Sequence, residues 1–486
     1  MNSRRFHPDL ILAATAVFAM LWAIARAAVQ SITIDEADTY LVWVARNYPS
    51  HWEAASNNHV LNSLMMRFTT ALFGVSHLSV RAPALFGAAL YIAMAWALCR
   101  LLAPASAAAW PLFVALVFNP FIFDHLVAAR GYALALGFLM AAIALAGYAR
   151  DRGWPPERVC AIASACLALS VAANFPFAIV DAVTMAAIFA WACARTQAFR
   201  ARVRLLGASV LPGLLVTVFV SAPAVLHWPK GQLVYGAHSM REWLGEIARD
   251  SLWQPNPQIV NPLVMAAVER VAPYLIPGLL ALALAAWARE RGNGFLRMLL
   301  AVAAASVALH WAAFRGFHLL LPKQRTGIWI VPLVTLAIGA AAPRRRVLTA
   351  GLYAMAVYFL LCLRLTWFRE WNWDADMRQV YAVVAEYSRA HEVARVAGDW
   401  MYAPSLNFYR VASGNWRLEE IAGPQRLPGD RDVYVLHAVF DEAFLREQGL
   451  HVIYRGASTD AVVAVRPPET AHQRATPRAP FLGDTQ

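Results

Sequence analysis

Residues 10–29 read LILAATAVFAMLWAIARAAV, and residues 30–40 continue QSITIDEADTY. Wound as a helix at about 1.5 Å per residue, the first stretch covers about 30 Å, the depth of a bilayer's hydrocarbon core. Arg26, near its end, is its single charge. The second stretch turns polar at once and carries Asp35, Glu36 and Asp38, so the chain leaves the membrane there. Arg4 and Arg5 ahead of the apolar run resemble the start of a signal peptide, but residues 26–34 offer no small-residue cleavage site strong enough to prefer removal. The segment is read as a first span that is kept.

Further apolar stretches follow near 82–102, 105–123, 131–149, 158–174, 176–194, 205–226, 271–288, 295–314, 327–342 and 347–366. The fold class is a polytopic α-helical membrane protein with about eleven transmembrane helices. Composition agrees: 60% of the residues are apolar and 15% charged, against roughly 25% charged in an average soluble domain. A net charge of +12 raises the question of nucleic acid, but the arginines recur at the ends of apolar segments and form no single basic stripe, which argues against such a partner.

Their distribution reads as topology, because cytoplasmic loops collect Lys and Arg. One alternating set of short loops holds Arg4 and Arg5; Arg100; Arg150, Arg152 and Arg158; Arg195, Arg200, Arg202 and Arg204; Arg289, Arg291 and Arg297; and Arg344, Arg345 and Arg346. The other set holds 30–81, 124–130, 227–270, 315–326 and everything after 366. The N-terminus is expected in the cytoplasm of a bacterium and the C-terminus in the periplasm, with the inner membrane between them. Cys99, Cys160, Cys166, Cys193 and Cys362 all lie in or beside apolar segments, with no disulfide or metal spacing.

Three domains are expected: a membrane domain over 1–366, an external α/β domain over 367–466 and a disordered tail over 467–486 that is rich in Pro, Thr, Arg and Gln. In the external domain, 393–397, 432–437, 451–455 and 461–465 are short and rich in β-branched residues, whereas 375–391, 402–411 and 440–448 read as helices. Asp399, Tyr402 and Tyr409 sit near a strand-to-helix turn, where capping and packing are the first explanation. This domain is expected to select what the membrane half acts on or to cap the bundle, with any chemistry left to the membrane half.

Four polar clusters mark the external side. Asp35 and Glu36 are adjacent carboxylates just outside the first span, suited to a base, a metal or a cation, or simply to a solvated helix start. His59 opens an amphipathic helix with Leu61, Leu64, Met65 and Phe68 at helical spacing, and Arg81 precedes the next span. Both have plain surface or interfacial readings. Asp124, His125 and Arg130 fall within two helical turns and could face one pocket, or Asp124 and Arg130 could form an ion pair that stitches helices. Arg315, His318, Lys323, Gln324 and Arg325 concentrate cations on an external face, which suits a phosphate as well as a juxtamembrane anchor.

These clusters, in this order, resemble the polytopic lipid-linked-sugar transferases of the GT-C superfold, nearest the bacterial branch of protein O-mannosyltransferases and the aminoarabinose transferase of lipid A. The family's acidic motif in the first external loop is matched by Asp35 and Glu36, and its basic loop-helix position by His59 in Asn58-His59-Val60-Leu61, without the family's prolines. Phe73-Gly74 with Arg81, Ala129-Arg130-Gly131-Tyr132, and Arg325 with Pro332 match three further elements. Where many relatives have Glu before Ala-Arg, this chain has Ala128; Asp124 stands one turn earlier as a substitute. The resemblance covers the first 150 residues by motif and the rest by topology.

It implies an inverting transfer of a hexosyl or pentosyl group from a polyprenyl-phosphate donor to a hydroxyl of a glycan, lipid or protein acceptor, amid membrane lipids. Asp35, Glu36 and Asp124 would be the catalytic carboxylates, and His59, Arg81, Arg130, Tyr132, Lys323 and Arg325 the substrate-binding residues. No cofactor is fixed; Glu36 or Asp124 could hold a divalent cation such as Mg or Mn, since hard cations favour carboxylate oxygens. A transporter or lipid flippase would use the same ions for cargo but ordinarily shows internal repeats and broken helices at mid-membrane. A non-catalytic assembly protein of the same topology is the third reading.

The orientation is testable by single-cysteine labelling in a cysteine-free background. Position 204 should react only after the inner membrane is permeabilised, and positions 240 and 430 in intact spheroplasts; the reverse pattern inverts the topology.

Overall fold

The computed structural model describes residues 8–46, 49–104, 106–229, 231, 234–252, 261–289, 292–423 and 427–467. Arg4, Arg5, Arg291 and the tail beyond 467 lie outside the described residues. The chain divides into two compact units: Met1–Gln30 with Asp38–Glu370, and Ser31–Ala37 with Trp371–Gln486.

The first unit is helical. Among the described residues eight helices are long and apolar enough to cross a membrane: Asp9–Val29, His77–Leu102, Tyr132–Arg150, Pro156–Ala173, Phe175–Ala194, Phe199–Leu226, Pro262–Arg289 and Gly294–Phe317. A bent pair, Ala109–Val117 with Pro120–Val127, would make a ninth, and Ile330–Arg344 and Arg346–Leu361 are shorter apolar helices. Each apolar stretch of the sequence falls on one of these elements. The 57° bend in the pair has a local cause. Pro120 has no N–H to continue the helix before it, and the Asn119 side chain instead caps the next helix, accepting from the N–H groups of Phe121 (3.0 Å) and Ile122 (3.3 Å).

Small residues let helices approach closely where lipid offers no hydrophobic drive for association. The His77–Leu102 helix lies against Tyr132–Arg152 at Gly87, where a Cβ would overlap the Ala133 and Leu134 backbone. The Val60–Phe73 helix buries Val60, Asn62, Ser63, Met66 and Thr70. Leu61, Leu64 and Met65 are only partly covered and Phe68 is exposed, so its apolar stripe is the outward one, as expected of a helix at an interface.

The second unit carries a four-stranded mixed sheet. Strands β1 (Val396–Gly398), β2 (Val433–His437), β3 (His451–Arg455) and β4 (Ala461–Val465) run in the order β1-β2-β4-β3. β1 and β2 are parallel and the other pairs antiparallel, with an irregularity between Val452 and Tyr454. The central strand β4 is buried throughout, whereas the edge strand β3 alternates between exposed and partly covered residues. Ala397, Tyr434, Leu436 and Val462 form a core against which Phe444, Leu445 and Leu450 pack. Helices Met377–Ala390, Ala403–Ala412 and Glu442–Glu447 complete the unit.

The first strand begins three residues later than its composition suggests. Glu392 takes a left-handed conformation (φ +53°) and the Val393 N–H closes onto the Ser388 carbonyl at 3.0 Å. That helix cap, of the kind that ends helices on a left-handed residue, uses up the residues that would otherwise extend β1. Residues 31–37 also depart from the expected division, since they fold with the C-terminal unit.

Gly131, before the Tyr132–Arg152 helix, combines φ +75° with a position where any Cβ would collide with the Ala173 carbonyl. Gly153, after that helix, has φ +65° in open space. Gly131→Ala should therefore lower the unfolding temperature distinctly more than Gly153→Ala, which carries only the conformational cost of about 1–2 kcal/mol. Equal losses in thermal denaturation would show that the close approach contributes nothing.

Candidate functional site

In the first unit, charge is concentrated around two carboxylates. Asp124, buried, accepts from the Arg26 guanidinium at 2.8 Å, from Arg364, and from the Arg369 N–H at 2.9 Å. Both of its oxygens are thereby engaged by positively charged or backbone donors, and Arg130 takes other partners. The sequence placed Asp124 and Arg130 in one pocket or one ion pair. The helix that carries Asp124 ends at Val127, before Arg130, so the two side chains do not share a helical face.

Glu370 is the second carboxylate. It is bonded to Arg325 and stands 3.2 Å from His125 Nε2. Burial by itself would raise its pKa, but the Arg325 charge and the bonds from His125 and Arg325 hold it down at about 2. His125 Nδ1 lies 2.8 Å from the Phe121 carbonyl, and the ring packs edge-on against Tyr132, centroids 5.0 Å apart. Tyr132 in turn meets the His59 ring at 5.5 Å.

His59 is buried, with Nε2 lacking a hydrogen-bond partner among the described residues. Burial, reinforced by the charges of Arg130 and Arg325, pushes its pKa well below the ordinary imidazole value. It is neutral at pH 7, so it offers a ring nitrogen and no cationic charge. Arg130 donates to the Thr39 hydroxyl at 2.8 Å and to Asn57. Arg130, Arg325, His59, Tyr132, His125 and Glu370 thus form one connected set.

Two substrate-binding candidates sit elsewhere in this unit. Arg81, fully buried, donates to the carbonyls of Ala27 and Gln30 at 2.9 Å each and lies over the Phe368 ring. It binds the end of the first span. Lys323 bonds Glu242 at 3.0 Å with Glu246 at 3.7 Å, tying a loop to the Met240–Leu252 helix.

The acidic motif belongs to the second unit. Glu36 is buried and reciprocally bonded to Thr33: the Thr33 N–H donates to Glu36 Oε2 at 3.0 Å, and the Glu36 N–H to Thr33 Oγ1 at 3.2 Å. This is a capping box at the start of the Ile34–Asp38 helix. Asp35 is only partly buried, and its Oδ2 accepts from Trp371 Nε1 at 3.1 Å. Asp374, buried, accepts the Ile34 N–H at 2.9 Å and the Ser405 hydroxyl at 3.1 Å. Burial, with the charges of Asp35 and Glu36 adding to it, raises the Asp374 pKa well above the usual carboxylate value.

Glu370, Trp371, Asp374 and Arg364 were not singled out from the sequence. Glu370 lies in FREWNWDAD, the short polar run after the last apolar stretch. An acidic and aromatic run at such a place is a signal that sequence reading could have weighed.

The carboxylates assigned to a divalent cation do not fit one. Glu36 Oε2 accepts its own capping N–H and Asp124 is taken by two guanidiniums, and among the described residues no group of three or more His, Cys, Asp or Glu could hold a metal ion.

No family model matches the chain, and no curated protein does. Two crystal structures of ArnT from Cupriavidus metallidurans align with it at 14% identity. The form bound to undecaprenyl phosphate covers 95% of this chain and 98% of its own, with a TM-score of 0.46. The apo form covers 96% and 99%, with a TM-score of 0.44. At that level of similarity the functional reading rests on this chain's own residues.

The Glu370 bonds set a pH dependence. Because its pKa is depressed in the fold, its contribution to stability is present above the unfolded value of 4.5 and is lost as pH falls towards about 2. Glu370→Gln should lower stability at pH 7 by about 1–3 kcal/mol and flatten the loss between pH 4.5 and 2, read by thermal unfolding across pH. An unchanged acid profile would exclude the pair as a stabilising element.

Proposed function

We propose that this protein transfers a sugar from a polyprenyl-phosphate donor to an acceptor hydroxyl at the outer face of the bacterial inner membrane. The observation that carries the reading is the set around His59 and Tyr132, on which both Arg130 and Arg325 act electrostatically. Two guanidiniums beside a neutral imidazole and a phenol, in a bundle of apolar helices, suit the phosphate of an amphiphilic donor.

In the proposed reaction the acceptor hydroxyl gives its proton to Asp35 as its oxygen bonds to the anomeric carbon. The bond from that carbon to the phosphate oxygen breaks, and its electron pair leaves with the lipid phosphate. Arg130 and Arg325 stabilise the charge that develops there. Attack opposite the leaving phosphate inverts the anomeric centre. His59 and Tyr132 act as neutral hydrogen-bonding groups.

Among the carboxylates, Asp35 is assigned the base because Glu36 closes a capping box and Asp124 is consumed by Arg26 and Arg364. Asp124, Arg81 and Lys323 are assigned to scaffolding, and no step is routed through a metal.

A deletion strain should accumulate a sugar-bearing polyprenyl phosphate, cleared by the parental gene. Asp35→Asn should clear it at least about a hundredfold more slowly, while purified protein still binds polyprenyl phosphate. Arg130→Lys and Arg325→Lys keep charge but lose the planar fork, and should bind polyprenyl phosphate measurably more weakly. Parental clearance by Asp35→Asn removes the base assignment, and parental affinity in both lysine variants removes the phosphate site.

A further inference from the structure

We propose that Trp371 and Asp374, the first residues of the C-terminal unit, are positioning residues for Asp35, so that this unit holds the base in place. The inference rests on the reading of Asp35 as base and extends it to residues about 340 positions away in the chain.

The geometry is specific. Segment 31–37 is bonded into the C-terminal unit along its length. Ser31 Oγ donates to the Ala375 carbonyl at 2.7 Å, and the Ile32 N–H donates to the Tyr409 hydroxyl at 2.9 Å. The Ile34 N–H, at the start of the short helix, donates to Asp374 Oδ2. Asp374 therefore fixes where the turn carrying Asp35 begins, one residue before it. Its other oxygen is held by Ser405 on the Ala403–Ala412 helix, which gives that anchor a single orientation.

Trp371 acts on the carboxylate itself. Its indole N–H donates to Asp35 Oδ2, and the ring is 2% exposed, so packing sets the direction of the donor. A fixed donor on one oxygen restricts the rotation of the whole carboxylate. A base misplaced by about 1 Å can lose on the order of a hundredfold in rate, so such a constraint bears on turnover rather than on binding.

Four side chains thus divide one task. Glu36 and Thr33 close the start of the helix from within, Asp374 anchors it from the C-terminal unit, and Trp371 orients the carboxylate. None of these groups has to touch the sugar or the lipid.

The test measures turnover at saturating donor, using the lipid-linked sugar extracted from the deletion strain, alongside affinity for polyprenyl phosphate. Trp371→Phe keeps the ring and loses the N–H; turnover should fall roughly tenfold to a hundredfold, the size expected for one lost hydrogen bond to a charged group, with affinity within about twofold of the parent. Asp374→Ala should lose a similar factor. Asp374→Asn, which keeps an oxygen for the Ile34 N–H, should recover most of it. In an Asp35→Asn background Trp371→Phe should cost nothing further. Parental turnover in Trp371→Phe and Asp374→Ala, an equal loss of affinity and turnover, or an undiminished Trp371→Phe effect in the Asp35→Asn background each overturns the positioning role while leaving the base in place. Full turnover by Asp35→Asn alone overturns the base and its positioning together.

Discussion

The membrane unit depends on one buried carboxylate. Asp124 receives the guanidiniums of Arg26 and Arg364 and the N–H of Arg369, joining the end of the first helix, the bent pair and the stretch after the last apolar helix. Removing a carboxylate from water is costly, and here two guanidiniums and a backbone N–H replace the lost hydration. The same stretch is secured around that point. Arg26 donates to the Trp367 carbonyl at 3.2 Å, Trp22 Nε1 to the Arg364 carbonyl at 3.3 Å, and Arg369 bonds Asp250. The Phe368 ring lies beneath both Arg26 and Arg81. Loss of the single carboxylate would leave two arginines buried without it, so residues 364–370 keep one path through the unit.

That path ends at Glu370, which makes the cationic set possible. Arg325 and His125 converge on Glu370, and the neutralised pair can be buried at a cost that a bare guanidinium could not meet. Arg130 instead donates to the oxygens of Thr39 and Asn57. His59, held neutral first by burial and further by the charges of Arg130 and Arg325, adds no cation to this set.

The bundle was readable because its signal is local. Twenty apolar residues in a row are visible without knowing any partner, and so are the β-branched runs that become β2, β3 and β4, which appear within a residue of their expected bounds. The start of β1 was displaced because a helix cap with Glu392 in the left-handed region gives no compositional sign. The candidate site was legible only in part. His59, Tyr132, Arg130 and Arg325, named separately along the chain, share one connected set. Arg81, Lys323 and Asp124 bind protein groups, because a charged residue at a helix end looks the same in sequence whether it faces a ligand or a carbonyl. Trp371 and Asp374 escaped notice for a different reason. Their partners are about 340 residues away, and no spacing rule reaches that far.

The capping box at Thr33 and Glu36, which was read from sequence only as a helix start, bears most on the choice of base. Thr-x-x-Glu at the head of a helix is a recognised start signal, and its geometry commits the glutamate to its own backbone. Two adjacent carboxylates then have unequal chemical futures. Glu36 is buried with one carboxylate oxygen held by the Thr33 N–H. Asp35, one residue earlier and partly exposed, accepts from the Trp371 indole and takes no part in the capping box. The same reasoning sets aside Asp124, whose protonation would leave Arg26 and Arg364 buried without their counter-charge. In the proposed mechanism the base is therefore assigned to the carboxylate that neither closes a helix cap nor neutralises two buried guanidiniums. On that proposal the base lies in the short segment 31–37, which folds with the C-terminal unit and not with the membrane unit.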